Sequence, residues 1–332
     1  MLRPFARLSC VLIRKYNGCS LGLKKMNRRD FLQGTAAAAV TSVVLPSPTW
    51  ASAPTGAALS IGDMTIQTLS DGSLRLPKGL LFPDLPQDQL DPILSRHGIT
   101  QDPLEPPLNI TLLRHGDQVV LFDAGSGPAF QDSAGRLPLA LEEAGVSPEE
   151  ITHVVFTHAH PDHLWGVLDD FDDPLFANAE HLMGQAEWDY WFDPATISTI
   201  GEERANMAAG AYRRLEILED QVTRFRDGEE ILPGVAARAT HGHTPGHMSF
   251  ELRSGGESIM VLGDAIGNHH VSFAQPEWHV GTDHDPDMAA GTRVGLLDQL
   301  AHDQIRVIGY HLPGGGLGEV VRAGSGFRFI ST

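Results

Sequence analysis

The chain has 332 residues, 42% of them hydrophobic, enough to bury a full core in one large domain or two modest ones. Its 24 Lys+Arg stand against 42 Asp+Glu, a net charge of −18; a chain this acidic repels phosphate backbones, which argues against nucleic acid as a partner. Beyond the amino terminus no apolar run approaches the roughly 20 residues that a spanning helix needs, so a body without a membrane span is expected.

Residues 1–53 differ from the rest and read as an amino-terminal extension with a signal peptide, ahead of one domain over 54–332. Asn27-Arg28-Arg29-Asp30-Phe31-Leu32 sets an arginine pair before a short apolar stretch, Ala36 to Leu45, and Ala51-Ser52-Ala53 supplies small residues for cleavage. The pattern resembles a twin-arginine export signal and predicts a periplasmic or secreted protein. Met26 stands directly before it, so a start at Met1 or at Met26 is compatible with the reading. Cys10 and Cys19 both fall in this segment, which leaves the mature chain without a disulfide or a thiolate ligand. Without residues 1–53, with their eight basic side chains and one acid, 16 basic residues face 41 acidic ones, or −25.

Ile61 to Leu69 predicts a first strand, followed from Leu74 to Leu108 by a Pro- and Leu-rich stretch with little periodicity. A connection that long is more often functional than idle, with a packed surface arm, or one set against a second subunit in a homodimer, as the alternative. Asn109 to Arg114 and Gln118 to Phe122 are β-prone runs around His115-Gly116-Asp117, a hairpin signature. Leu137 to Ala144 has helical spacing, Ser147-Pro148-Glu149-Glu150 reads as a helix start, and Ile151 to Thr157 reads as a buried strand. Helices are expected over Ala179 to Phe192, Glu202 to Leu218 and Pro286 to Ala301. Val235 to Ala239, Ile259 to Leu262 and Ile305 to Gly309 read as short strands, and Glu319 to Ala323 with Gly326 to Ile330 as a closing hairpin. This mixture predicts an α/β class protein: two mixed sheets face to face with helices outside, a four-layer αβ/βα sandwich.

The most informative segment is Thr157-His158-Ala159-His160-Pro161-Asp162-His163, with four ligand-type side chains in six residues directly after an apolar strand. Imidazole and carboxylate without thiolate favour Zn²⁺ and its neighbours over Cu(I) or Ca²⁺. His158-x-His160-x-Asp162-His163 resembles the signature of the metallo-β-lactamase superfamily. Further elements of that family follow in order over residues 60–330: Asp123 at a strand end, His243 in Thr240-His241-Gly242-His243-Thr244-Pro245-Gly246-His247, Asp264 after Met260-Val261-Leu262-Gly263, and His311. The resemblance implies one metal on His158, His160 and His243, another on Asp162, His163 and His311, and Asp264 between them. Two divalent ions about 3.5–4 Å apart, zinc first among them, can make a shared water nucleophilic at neutral pH. Asp162 and Asp264 would be the catalytic carboxylates that accept or relay its proton, and Asp123 would orient a ligand histidine. His241 and His247 flank a ligand and are candidates for the same supporting role. His97, His115, His153, His181 and His302 sit in surface-like contexts and are expected to be solvated. His269, His270, His279 and His284 follow the bridging aspartate with no assigned role.

Within the superfamily the chain resembles the group containing methyl parathion hydrolase and certain N-acyl homoserine lactonases. The long segment before Asn109, the stretch Val271 to Trp278 with Asp283-His284-Asp285-Pro286, and the ending Gly309-Tyr310-His311-Leu312-Pro313 carry that likeness. Two departures stand out: Ala265-Ile266-Gly267 lacks the tyrosine that some homoserine lactonases place after the bridging aspartate, and Pro313-Gly314-Gly315-Gly316 replaces an aromatic after His311. Trp188, Tyr190, Trp191, Phe192, Phe273 and Trp278 are expected to line an apolar pocket or to pack in the core. The expected function is a dinuclear lactone or ester hydrolase, with an organophosphate triester hydrolase second and a non-catalytic periplasmic metal-binding protein as the alternative of another class.

Overall fold

Two sheets of seven strands carry the fold in the computed structural model, which describes residues 57–332. The arginine pair and the expected cleavage site and boundary after residue 53 lie outside the described residues. The first sheet runs in chain order: β1 (Ala58–Ile61), β2 (Met64–Ser73), β3 (Pro107–His115), β4 (Gln118–Phe122), β5 (His153–Phe156), β6 (Glu180–Gly184) and β7 (Val222–Phe225). Its first three pairings are antiparallel and its last three parallel. The second sheet holds β8 (Glu230–Leu232), β9 (Val235–Ala239), β10 (Met248–Ser254), β11 (Glu257–Val261), β12 (Arg306–Ile308), β13 (Leu317–Ala323) and β14 (Gly326–Ser331). All its neighbours are antiparallel except β11 with β12.

Period-two alternation assigns each strand residue a layer. Val120, Phe122 and Val155 point between the sheets and meet Phe250, Ile259 and Val261, while Leu121, Val154 and Phe156 point outward to the helices. On that outer face lie α3 (Leu137–Glu143), α5 (Gln185–Trp191) and α7 (Ala205–Leu218), whose Leu141, Trp188 and Leu215 are buried there. Met260 and Val307 of the second sheet instead face α9 (Pro286–Asp303) through Leu296, Leu297 and Leu300. Two sheets with helices outside both are the expected four-layer sandwich.

The structure corrects four element readings. Ile61 to Leu69 is not one strand but the turn and arms of the β1–β2 hairpin. The Leu74 to Leu108 stretch is not structureless: it holds α1 (Lys78–Leu81) and α2 (Gln87–Arg96), each starting after a proline, Pro77 and Pro86. Leu90, Ile93 and Leu94 recur at helical spacing and bury this arm against Val271 and Val280. Ala179 to Phe192 is a strand followed by a helix, β6 then α5, because β6 fills the parallel slot between β5 and β7. The Ser147 start opens only a single 3₁₀ turn, with the reciprocal Ser147–Glu150 capping box. Strands β7, β8 and β10 had no expectation.

Candidate metal centre

Strand ends deliver the ligand-type side chains. β5 ends at Phe156 and releases His158 and His160, with Asp162 and His163 on the one-turn helix α4 (Pro161–Leu164). His243 follows β9, Asp264 follows β11, and His311 follows β12. The seven converge and are at most 8% exposed. His158, His160 and His243 bring donor atoms within 4.8 Å of one another, as do Asp162, His163 and His311. Asp264 joins His158 and His163 in a third such trio, and its Oδ2 lies 3.4 Å from His243 Nε2 and 3.1 Å from His311 Nε2.

Each imidazole is held by its outer nitrogen, which leaves the inner one for the centre. His163 Nδ1 donates to Asp123 Oδ2 (2.8 Å), His243 Nδ1 to Asp283 Oδ1 (2.9 Å) and His311 Nδ1 to Pro107 O (2.9 Å). His158 Nδ1 lies 3.0 Å from Thr157 Oγ1, whose own proton goes to Asp123 Oδ2 (2.8 Å). His160 Nε2 faces His284 Nε2 at 3.1 Å, and its Nδ1 turns to His243 Nε2 at 2.9 Å. The buried atoms left without a hydrogen bond include His158 Nε2, His163 Nε2, Asp162 Oδ2 and Asp264 Oδ1, and His163 Nε2 faces the two carboxylates only at 3.3–3.5 Å. Buried polar atoms seldom stay unpaired, and aligned imidazole and carboxylate donors without thiolate suit divalent ions of the zinc kind. The residues therefore fit the metal that the sequence implies.

The electrostatics agree with that fit. Burial pushes His158 well below its ordinary value, and the surrounding imidazoles add to the effect; His160 behaves alike. Burial also opposes a charge on His163, but Asp264, Asp162 and Asp123 outweigh it and hold this imidazole well above the usual range. His311 is raised to about 10 by Asp264 and Asp162 against the same desolvation. Asp162 and Asp264 lie well below the carboxylate range although burial disfavours their charge, because His163 and His311 face them. Without a metal, the protonated imidazoles of His163 and His311 balance the Asp162 and Asp264 carboxylates, a place that divalent ions would take.

Supporting residues surround the cage. Asp123 takes a left-handed backbone (φ 68°), which Asp tolerates better than bulkier residues, and also accepts from Thr157 N at 2.7 Å. Gly263 (φ 53°) admits no side chain: a Cβ there would lie 2.7 Å from His247 Nε2 and 2.8 Å from Thr157 Cβ. That imidazole accepts from Asp264 N (2.9 Å), so His247 fixes the backbone of the central aspartate. The side chain of His241 lines a small cavity instead. Sequence reasoning missed Glu187, whose buried carboxylate accepts from Ala159 N, Gly246 N, Thr244 Oγ1 and Trp191 Nε1 at 2.6–3.0 Å. It also missed the tie from Asp283 to His243, and Tyr310, which stacks on His163 at 3.8 Å.

A cavity of about 680 Å³ opens onto His160, Asp162, His243, Asp264 and His311; His158 and His163 do not line it. Its apolar wall comes largely from the arm, through Leu74, Leu76, Leu80, Leu81, Ile99 and Leu104, with Phe130 and Met207. None of the six expected aromatics lines it. Trp188 stacks on Phe192 and Phe273 packs on Phe329, both ordinary core contacts, while Tyr190 lines a second cavity of about 390 Å³. Pro313 and Gly314 do line the large cavity, so the missing aromatic after His311 leaves space. Among the unassigned histidines, His269 and His270 reach the cavity and His279 is exposed beside Asp287. His181, expected to be solvated, is fully buried and stacked on Phe156.

A two-sheet αβ/βα sandwich with a buried His/Asp cluster at its strand ends defines a metal-centre protein. The sequence model described as the Metallo-beta-lactamase superfamily matches residues 105–303, and the chain belongs to that superfamily. Among solved structures it is similar to AidC, a dizinc quorum-quenching lactonase in complex with a product, at 26% identity and a TM-score of 0.79 over 83% of this chain and 97% of that one. It is also similar to the hydrolase AbOPH of the beta lactamase superfamily, at 29% identity and a TM-score of 0.77 over 83% and 96% of the two chains. A curated relative is an N-acyl homoserine lactonase of Bacillus cereus, 25% identical over 38% of this chain and 43% of its own length. Another, the uncharacterized protein YobT of Bacillus subtilis, is 28% identical over 48% and 62%. The chain thus spans less than two thirds of either curated relative. Among the described residues no helix is long and apolar enough to cross a membrane.

Proposed function

We propose that this chain is a metal-dependent hydrolase that opens a lactone or ester carrying an apolar acyl chain, using two divalent ions held by His158, His160, His243, Asp162, His163, His311 and Asp264. The observation that carries the reading is the junction of this cluster with a largely apolar cavity of about 680 Å³. Similarity to a dizinc lactonase and to an N-acyl homoserine lactonase supports it. When bound, the two ions supply Lewis acidity and a nucleophile at neutral pH. The side chains do the rest. Leu76, Leu81, Ile99 and Leu104 offer an acyl chain a dry wall and set the scissile carbonyl toward the cluster. Asp162 and Asp264 line the cavity as the two carboxylates able to take a proton from attacking water and return it to the leaving alcohol. Zinc is the favoured ion because the donors are nitrogen and carboxylate oxygen alone.

A phosphotriester is the second reading, favoured by the open space beside Pro313 and Gly314. A panel of acyl homoserine lactones, aryl esters and paraoxon-like triesters at fixed zinc content separates the two. Turnover of lactones or esters is expected; triester turnover alone would reverse the order, and zinc binding without any turnover would support a metal-binding protein. Export to the periplasm through the Arg28-Arg29 signal belongs to the same proposal, and cell fractionation of the full chain tests it.

A further inference from the structure

Asp283 and His284 are consecutive, and each holds the outer nitrogen of a different imidazole in the same trio. Asp283 Oδ1 accepts from His243 Nδ1 at 2.9 Å, and His284 Nε2 stands 3.1 Å from His160 Nε2. His160 turns Nδ1 toward the cluster, so its neutral form keeps the proton on Nε2, and His284 must receive that proton on an Nε2 lone pair. The proton of His284 then sits on Nδ1, 3.5 Å from the Tyr190 hydroxyl. The turn itself is pinned: His284 N donates to His243 O and Asp285 N to Gly242 O, each at 3.0 Å, and Arg204 Nη2 donates to Gly281 O at 2.8 Å.

We propose that His284 is a positioning residue for the metal centre, fixing the tautomer and ring plane of His160 and thereby the affinity of the position held by His158, His160 and His243. This rests on the two-metal reading. It differs from the support of His163 and His243, which lean on the carboxylates of Asp123 and Asp283. A carboxylate partner makes an imidazole a stronger donor, whereas a neutral imidazole aligns the ring with less added basicity. His284 and Tyr190 also line the cavity of about 390 Å³, so a small solute can reach the outer end of the pair.

Zinc titration of the purified full chain against a competing chelator reads the effect. H284A is expected to bind one ion with wild-type affinity and the other about 10–100-fold more weakly. H284Q recovers most of that loss, because its amide oxygen can accept the same proton, and added imidazole recovers it in H284A. If circular dichroism shows H284A unfolded, H284M against H284Q gives the same contrast at similar volume. Wild-type affinity for both ions in the variant lacking an acceptor overturns the proposal, and so does an equal loss in H284Q, which marks packing alone. A wild-type chain that binds no zinc overturns instead the reading beneath it.

Discussion

The Asp264 carboxylate stands 3.1 Å from His311 Nε2 and 3.4 Å from His243 Nε2, so one side chain links the two ligand trios. Asp264→Asn keeps the volume and removes the charge that would serve both positions. Bound divalent metal is expected to fall from two ions per chain to one or none, with hydrolysis reduced at least about 100-fold. Elemental analysis and the rate on one ester, measured on the same preparation, check it.

Asp123 takes three donors, Thr157 N, Thr157 Oγ1 and His163 Nδ1, all within 2.8 Å. Asp123→Ala frees the His163 ring and leaves Thr157 N unpaired in a buried place. Metal affinity is expected to drop about 10–100-fold, mainly at the position that includes His163, and stability by about 1–3 kcal/mol. Chelator competition and a denaturant melt separate the two effects.

Glu187 joins two ligand-bearing loops, accepting from Ala159 N between His158 and His160 and from Gly246 N and Thr244 Oγ1 just after His243. Glu187→Ala strands four buried donors. A stability loss of about 3 kcal/mol or more is expected, and a fall in Tm of several degrees checks it.

The buried His181 ring has neither nitrogen hydrogen-bonded, and burial lowers its pKa to about 4. The unfolded chain, with an ordinary value near 6.5, therefore binds more protons than the folded one between these limits. Stability is full above about pH 6.5 and lost as pH falls toward 4, by about 3 kcal/mol across the window. His181→Leu should flatten that slope, seen as a smaller Tm difference between pH 5 and pH 8.

Leu104 belongs to the arm and lines the cavity. Leu104→Trp is expected to shorten the acyl chain that fits, reducing kcat/KM for the longest substrates about 10-fold or more and leaving the shortest unchanged. A chain-length series on one lactone head group measures it.

The residues that converge at the centre were legible because the His158 to His163 cluster and His243, Asp264 and His311 each follow an apolar strand closely in sequence. Glu187 and Asp283 were not, since Glu187 reaches the loops beside His158 and His243 across 28–59 positions and Asp283 reaches His243 across 40, while the nearby contact of Glu187 with Trp191 has the ordinary i to i+4 spacing of a helix. β6 read as a helix because Ala179, Glu180, Leu182 and Met183 are good helix formers; pairing with β5 and β7 overrides that preference. Frequent prolines masked α1 and α2, although two of them stand at helix starts. Of the two roles open to the aromatics, packing holds for Trp188 and Trp191, which face the packed side of α5, a direction that composition does not encode.

Titrating the full chain with zinc while following metal content and ester hydrolysis together tests the central claim most directly. The expected result is saturation at two ions per folded chain, with activity that vanishes on chelation and returns with the metal. Saturation below two ions, or hydrolysis undiminished in chelated protein, would contradict it.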